Sequence, residues 1–174
     1  MDFFLIILIG SLFGSFANVC IYRLPLERSV VGGRSYCPKC KKKIVWYDNI
    51  PIISYLLISG KCRKCKKSIS TQYPIVEFLH IISFIIIYFL FGVTTTSLLL
   101  MILALIFIII FFIDLKHYII PNILTFPLMA LGFIKSFDPN LNSLFPNYIN
   151  SLAGGIFGYG IIWSIIFFYK QIRN

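Results

Sequence analysis

Sixteen consecutive residues, Leu98 to Ile113 (LLLMILALIFIIIFFI), contain no polar side chain. A bilayer core about 30 Å thick takes about 20 mainly apolar residues in helical form, so a run of this kind points to a membrane before any other setting. Five runs approach the required length: Asp2 to Tyr22, Pro74 to Phe91, Ser97 to Ile113, Tyr118 to Ile134 and Tyr148 to Phe168. Composition agrees, because 13% charged residues is far below the quarter or so of a soluble domain. Arg23 and Arg28 follow the first run and no basic residue precedes it. That is the reverse of a secretory signal, and it predicts a retained helix. The turn Gly92 to Thr96 (GVTTT) makes a hairpin of the second and third runs. Pro121 and Pro127 interrupt the fourth. The fifth is rich in small residues (Ala153, Gly154, Gly155, Gly158, Gly160), which permit close packing against another span. The fold expected is an all-α polytopic membrane protein of about five transmembrane helices. Its parts are helix 1 over residues 1–22, a basic loop over 23–73, and a membrane domain over 74–174.

Basic loops stay on the cytoplasmic side. Of the sixteen Lys and Arg residues, twelve fall between the first two runs, and Lys116, Lys170 and Arg173 share their side, leaving Lys135 alone across the bilayer. The N-terminus is therefore expected outside and the loop in the cytoplasm. A net charge of +10 could serve nucleic acid, but the excess lies in one loop between spans and brings no groove-reading helix or stacking array. Anionic lipid headgroups are the partner expected for it, and no nucleic acid.

That loop carries CPKC and CRKC, with Cys37 and Cys40 separated from Cys62 and Cys65 by 21 residues. Two residues between cysteines let both thiolates of a knuckle face one point, and two knuckles supply the tetrahedral sulfur cage that zinc favours. Four thiolates around a divalent ion leave a net charge of −2. Lys39, Lys41, Lys42, Lys43, Lys61, Arg63, Lys64, Lys66 and Lys67 stand beside the ligands to offset it. A reducing cytoplasm disfavours two disulfides, and the matched spacings argue against four unrelated thiols. Iron competes with zinc for such a donor set. With four protein ligands no coordination position is open, so the ion would hold the loop's shape and hydrolyse nothing. Between the knuckles, Trp46 to Leu57 (WYDNIPIISYLL) reads as aromatics followed by a short helix after Pro51, able to lie in the headgroup layer. Cys20, at the end of the first run, reads as a buried structural thiol.

Six acids exist: Asp2, Glu27, Asp48, Glu77, Asp114 and Asp138. Asp2 and Asp138 are expected outside, Glu27 and Asp48 in the loop. Asp114 directly follows the longest apolar run, where a carboxylate is expected to be desolvated. Two readings stand for it: a functional acid, or a helix-end carboxylate that reaches water or pairs with Lys116. His117 shares its face only if the helix continues that far, and alone it reads as structural or solvated. Glu77 and His80 lie three residues apart in the second run, as a polar packing pair or part of a site.

Taken in order, the segments GSFANVCIYRLP (Gly14 to Pro25), GRSYCPKC, WYDNIPIISYLL, CRKC, YPIVE (Tyr73 to Glu77) and DLKHYIIPNILT (Asp114 to Thr125) cover essentially the whole chain. Their sequence resembles the prepilin peptidases, or type IV leader peptidases, membrane aspartic proteases of the GxGD kind. The resemblance implies that Asp114 is the counterpart of the family's first catalytic aspartate. Asn122 stands where many members have Asp. The family's second aspartate, in a Gly-x-Gly-Asp segment, has no match: Gly158-Tyr159-Gly160 is followed by Ile161 in mid-span. Two acids sharing a proton supply a base for water and an acid for the scissile carbonyl, and Asp114 alone supplies one of these states. The expectation is a truncated or incomplete leader peptidase of the inner membrane, acting on prepilins and pilin-like precursors. The alternative is an inactive substrate-binding scaffold derived from it. The resemblance also implies N-methylation of the new N-terminus with S-adenosylmethionine, although no residue pattern marks a methyl-donor site. Because a basic leader is repelled by a basic loop, the precursor's apolar helix is expected to dock near Asp114 while the loop faces lipid.

Overall fold

The computed structural model describes residues 2–33, 35–137 and 147–173. Arg34 and Asp138, and the side chains of Asp2 and Arg173, lie outside the described residues. Among the described residues six α-helices follow in order: α1 (Asp2–Arg23), α2 (Ile53–Leu57), α3 (Gln72–Phe91), α4 (Thr95–His117), α5 (Asn122–Lys135) and α6 (Tyr148–Arg173). Short 3-10 turns occupy Leu24–Leu26 and Trp46–Asn49. No strand forms among the described residues, only the isolated bridges Tyr36 to Lys43 and Lys61 to Ser68.

Helices α1, α3, α4 and α6 are each long and apolar enough to cross a bilayer. The fourth expected run differs at its start. Its Tyr118 adopts a left-handed conformation (φ 55°) and returns its N–H to the Asp114 carbonyl at 2.9 Å, which closes α4, and Pro121 bars an immediate restart. Helix α5 therefore begins at Asn122 and has 14 residues, about 21 Å of rise, with Pro127 inside it. The hairpin between α3 and α4 is set locally. Gly92 (φ 61°) ends α3, and Thr94 and Ser97 form a reciprocal capping box at the start of α4, with bonds of 3.1 and 3.0 Å.

The chain forms two units, residues 1–124 and 125–174. In the first, α1 packs along α3, and α4 packs on both. Its core gathers Ala17, Cys20 and Ile21 of α1, Val76 of α3, and Ile109 and Ile113 of α4. All six belong to the helix ends nearest the cysteine loop and Asp114, so the tightest packing supports the polar end of the bundle. Cys20 is buried there. The closest approach is made by glycine: a Cβ on Gly10 would lie 3.0 Å from the Ile81 Cα, and one on Gly14 only 2.6 Å from the Glu77 Cα. In hydrocarbon, where apolar attraction between helices is weak, such backbone contact is a principal source of association. The small residues singled out in the fifth run belong to α6, in the second unit. Phe137 and Tyr148 stack there, with centroids 5.4 Å apart.

Candidate metal centre and acidic sites

The two knuckles are built alike, residue for residue. The Cys37 N–H donates to the Lys42 carbonyl at 3.0 Å and the Lys41 N–H to the Cys37 carbonyl at 2.8 Å. Twenty-five residues on, the Cys62 N–H donates to Lys67 and the Lys66 N–H to Cys62, both at 2.9 Å. Lys41 and Lys66 both take φ 57°. The left-handed step turns the chain back under each pair of sulfurs, so the knuckles are shaped by their own backbone.

Together they bring the Sγ atoms of Cys37, Cys40, Cys62 and Cys65 within 4.8 Å of one another, with Cys37 and Cys65 at 3.9 Å. A tetrahedron of sulfurs 2.3 Å from a zinc ion has edges of about 3.8 Å. The cluster is thus positioned to bind a metal, and all four cysteines are free thiols. Backbone N–H groups of Cys65 and Lys64 bring the Cys62 thiol down to about 7. At Cys65 the Lys67 N–H also favours the thiolate, but desolvation and the three neighbouring sulfurs prevail and push the thiol up to about 11. A bound cation would displace the proton that Cys65 holds.

Contacts outside the cluster brace the loop. Arg63, between two ligands, donates Nε to both Asp48 carboxylate oxygens at 2.7 and 2.9 Å and lies 5.6 Å from the Tyr47 ring. Arg23, at the end of α1, donates Nη1 to the carbonyls of Ser29 and Gly32. Sequence reasoning gave Asp48 no role; only the fold sets it beside Arg63. The short helix expected after Pro51 forms as α2, and Trp46, Ile53, Leu56 and Leu57 are exposed along this stretch.

Glu77 and His80 face α1 and are buried, at 7% and 0% exposure. Glu77 Oε2 accepts the Ile52 N–H at 2.7 Å, and His80 Nδ1 lies 2.8 Å from the Val76 carbonyl. Asn18 donates Nδ2 to the Tyr73 carbonyl, tying α1 to the first turn of α3. Sequence reasoning missed Asn18, whose only signal was a polar residue inside an apolar run. Ile52 holds φ 59° and ψ −54°, at a cost of about 1–3 kcal/mol for a side chain of this type. Beside it an open groove of about 300 Å³ is lined by Ile52, Pro74, Ile75, Phe78 and Leu79.

Asp114 lies one turn before the end of α4, and because the helix runs on to His117 the two share a face. The protein leaves Asp114 exposed, so protein atoms do not supply the desolvation expected of it. Asp114 and the cysteine cluster stand apart in the chain and on different elements.

A helical membrane protein whose first loop folds as a four-cysteine metal-binding module is the class these features define. Residues 8–91 match the Bacterial Peptidase A24 N-terminal domain, and residues 101–172 match the Type IV leader peptidase family. The chain belongs to the prepilin leader peptidase family. It is 42% identical over 135 residues to a prepilin leader peptidase/N-methyltransferase of Vibrio cholerae, covering 73% of this chain and 53% of that protein. The like-named protein of Pseudomonas aeruginosa is 32% identical, over 97% of this chain and 64% of its own length. That of Klebsiella pneumoniae is also 32% identical, over 95% of this chain and 73% of its own. The chain thus spans about half to three quarters of the length of these relatives. No solved structure matches it.

Proposed function

We propose that this chain is part of a membrane aspartic endopeptidase that removes leader peptides from type IV prepilins and pilin-like precursors at the cytoplasmic face of the inner membrane. The observation that carries the reading is the position of Asp114: the one acid at the end of the most apolar helix, exposed, inside the segment matched to the leader peptidase family. Asp114 would supply one of the two carboxylates that peptide hydrolysis by water requires. The other is expected from a Gly-x-Gly-Asp segment, which these residues do not include. In this reading residues 23–73 form a cytoplasmic loop, the N-terminus is outside, and residues 74–174 begin the peptidase domain.

The cysteine cluster takes zinc in this reading, since four thiolates at tetrahedral spacing with no open position suit a structural ion. When bound, the ion would supply a rigid cross-link between the knuckles and no hydrolytic chemistry. N-methylation with S-adenosylmethionine rests on the relatives' names alone. The groove at Ile52 is walled by Pro74, Ile75, Phe78 and Leu79 and offers no polar side chain to an adenosine or an amino acid group, so no methyl-transfer step is assigned to it.

The test is Asp114→Asn in the protein encoded by the complete reading frame, assayed on a prepilin in membranes. Loss of cleavage with normal insertion supports the endopeptidase. An unaltered rate removes Asp114 from the mechanism, and no cleavage by the parent protein favours a substrate-binding scaffold.

A further inference from the structure

The loop is fastened to the membrane helices at a point that the metal does not explain. Ile52 lies in the spacer between the knuckles, and its φ of 59° with ψ of −54° is outside the regions open to a β-branched residue. Nothing in knuckle geometry requires this. The Ile52 N–H donates to Glu77 Oε2 at 2.7 Å, across 25 residues of chain. Glu77 sits in the second turn of α3, buried, and among the described residues no cation pairs with it. On its other side Gly14 presses on the Glu77 backbone, where even a methyl group would come within 2.6 Å of the Cα. The Glu77 backbone is therefore held close against α1, and the backbone N–H its carboxylate meets belongs to the loop.

We propose that Glu77 is the positioning residue that docks the metal-bearing loop on α3, accepting the Ile52 N–H and holding Ile52 in a conformation it would otherwise leave. Two consequences follow. The Ile52 side chain is fixed as one wall of the groove completed by Pro74, Ile75, Phe78 and Leu79, so releasing the latch opens that groove. The knuckles keep their own hydrogen bonds, so docking and metal retention are separable.

Residue-resolved hydrogen exchange on the full protein in lipid nanodiscs tests this. In the parent protein the Ile52 amide should exchange as slowly as the amides of α3, although it lies in a loop. Glu77→Ala should speed it by about ten- to a hundredfold, the range expected when an enclosed backbone N–H loses its partner. Glu77→Gln keeps an acceptor oxygen and should stay within about threefold of the parent. Zinc content, measured by atomic absorption, should be equal in all three. Exchange of the parent amide at the rate of an unstructured loop overturns the proposal without any variant. So does equal acceleration in the Ala and Gln variants, or loss of zinc together with docking. The outcome is independent of the peptidase reading, which Asp114→Asn tests by itself.

Discussion

The start of α3 and the end of α4 each carry one acid in an apolar helix, and the protein treats them in opposite ways. Glu77 is enclosed by α1 and α3 and bonded to a backbone N–H of the loop. Asp114 is exposed, and among the described residues its side chain makes no hydrogen bond or ion pair. A buried carboxylate must be satisfied where it stands, which commits it to architecture. One left at a helix end can meet water and substrate. The contrast separates an acid that builds the protein from one available to act.

The largest effect should come from the exposed acid. Asp114→Asn is nearly isosteric and removes the ionisable group, so leader cleavage should fall by at least the 10²- to 10⁴-fold attributed to one general acid or base. Insertion and zinc content should not change. Cleavage retained within tenfold would erase the contrast, since neither acid would then be chemical.

Second in size is the metal. Cys37→Ser leaves three thiolates, and removing the ion with a chelator should do as much, because the binding free energy of a structural zinc is largely folding energy for the module around it. The expected outcome is a loop cut by trypsin at Lys39 to Lys43 while α3 and α4 stay protected. A parent protein that binds no zinc and keeps the same trypsin resistance would show that the backbone bonds of the knuckles suffice.

How much of this was legible beforehand divides along physical lines. Hydrophobic length and charge placement are local properties, so the long helices could be read directly, and the paired C-x-x-C spacing revealed the cluster. The break at Tyr118 to Pro121 was harder: Pro121 was visible, but a left-handed tyrosine has no sequence signature. Long-range pairs were hidden altogether. Nothing in the spelling of Asp48, Glu77 or Asn18 names Arg63, Ile52 or Tyr73 as a partner. Glycine contacts were hidden for a related reason. The cluster in α6 drew attention, whereas Gly10 and Gly14 carry the closest approach of α1 to α3.

That distinction makes a third prediction. Gly14→Ala forces a contact of 2.6 Å against backbone, which only a shift of α1 can relieve, and should cost about 1–3 kcal/mol. Gly158→Ala, which meets no atom within 4 Å in its own unit, should be neutral or gain the few tenths to 1 kcal/mol by which alanine exceeds glycine in a helix. Thermal denaturation in detergent compares them. Equal midpoints would remove the glycine contact as the reason Glu77 is held so firmly.

The smallest effect concerns the outer brace of the loop. Arg63 shares its one Nε hydrogen between the two Asp48 oxygens, but its side chain is half exposed, and water screens such a pair strongly. Its partner is also shared: the same guanidinium lies over Tyr47, so Asp48→Asn should leave Arg63 in place through the ring contact. The expected result is a loop whose zinc dissociates at most about fivefold faster, a shift that shrinks further in high salt. A loss as large as that of Cys37→Ser would mean that the knuckle containing Arg63 is not self-supporting. The matched backbone bonds of the two knuckles argue that it is.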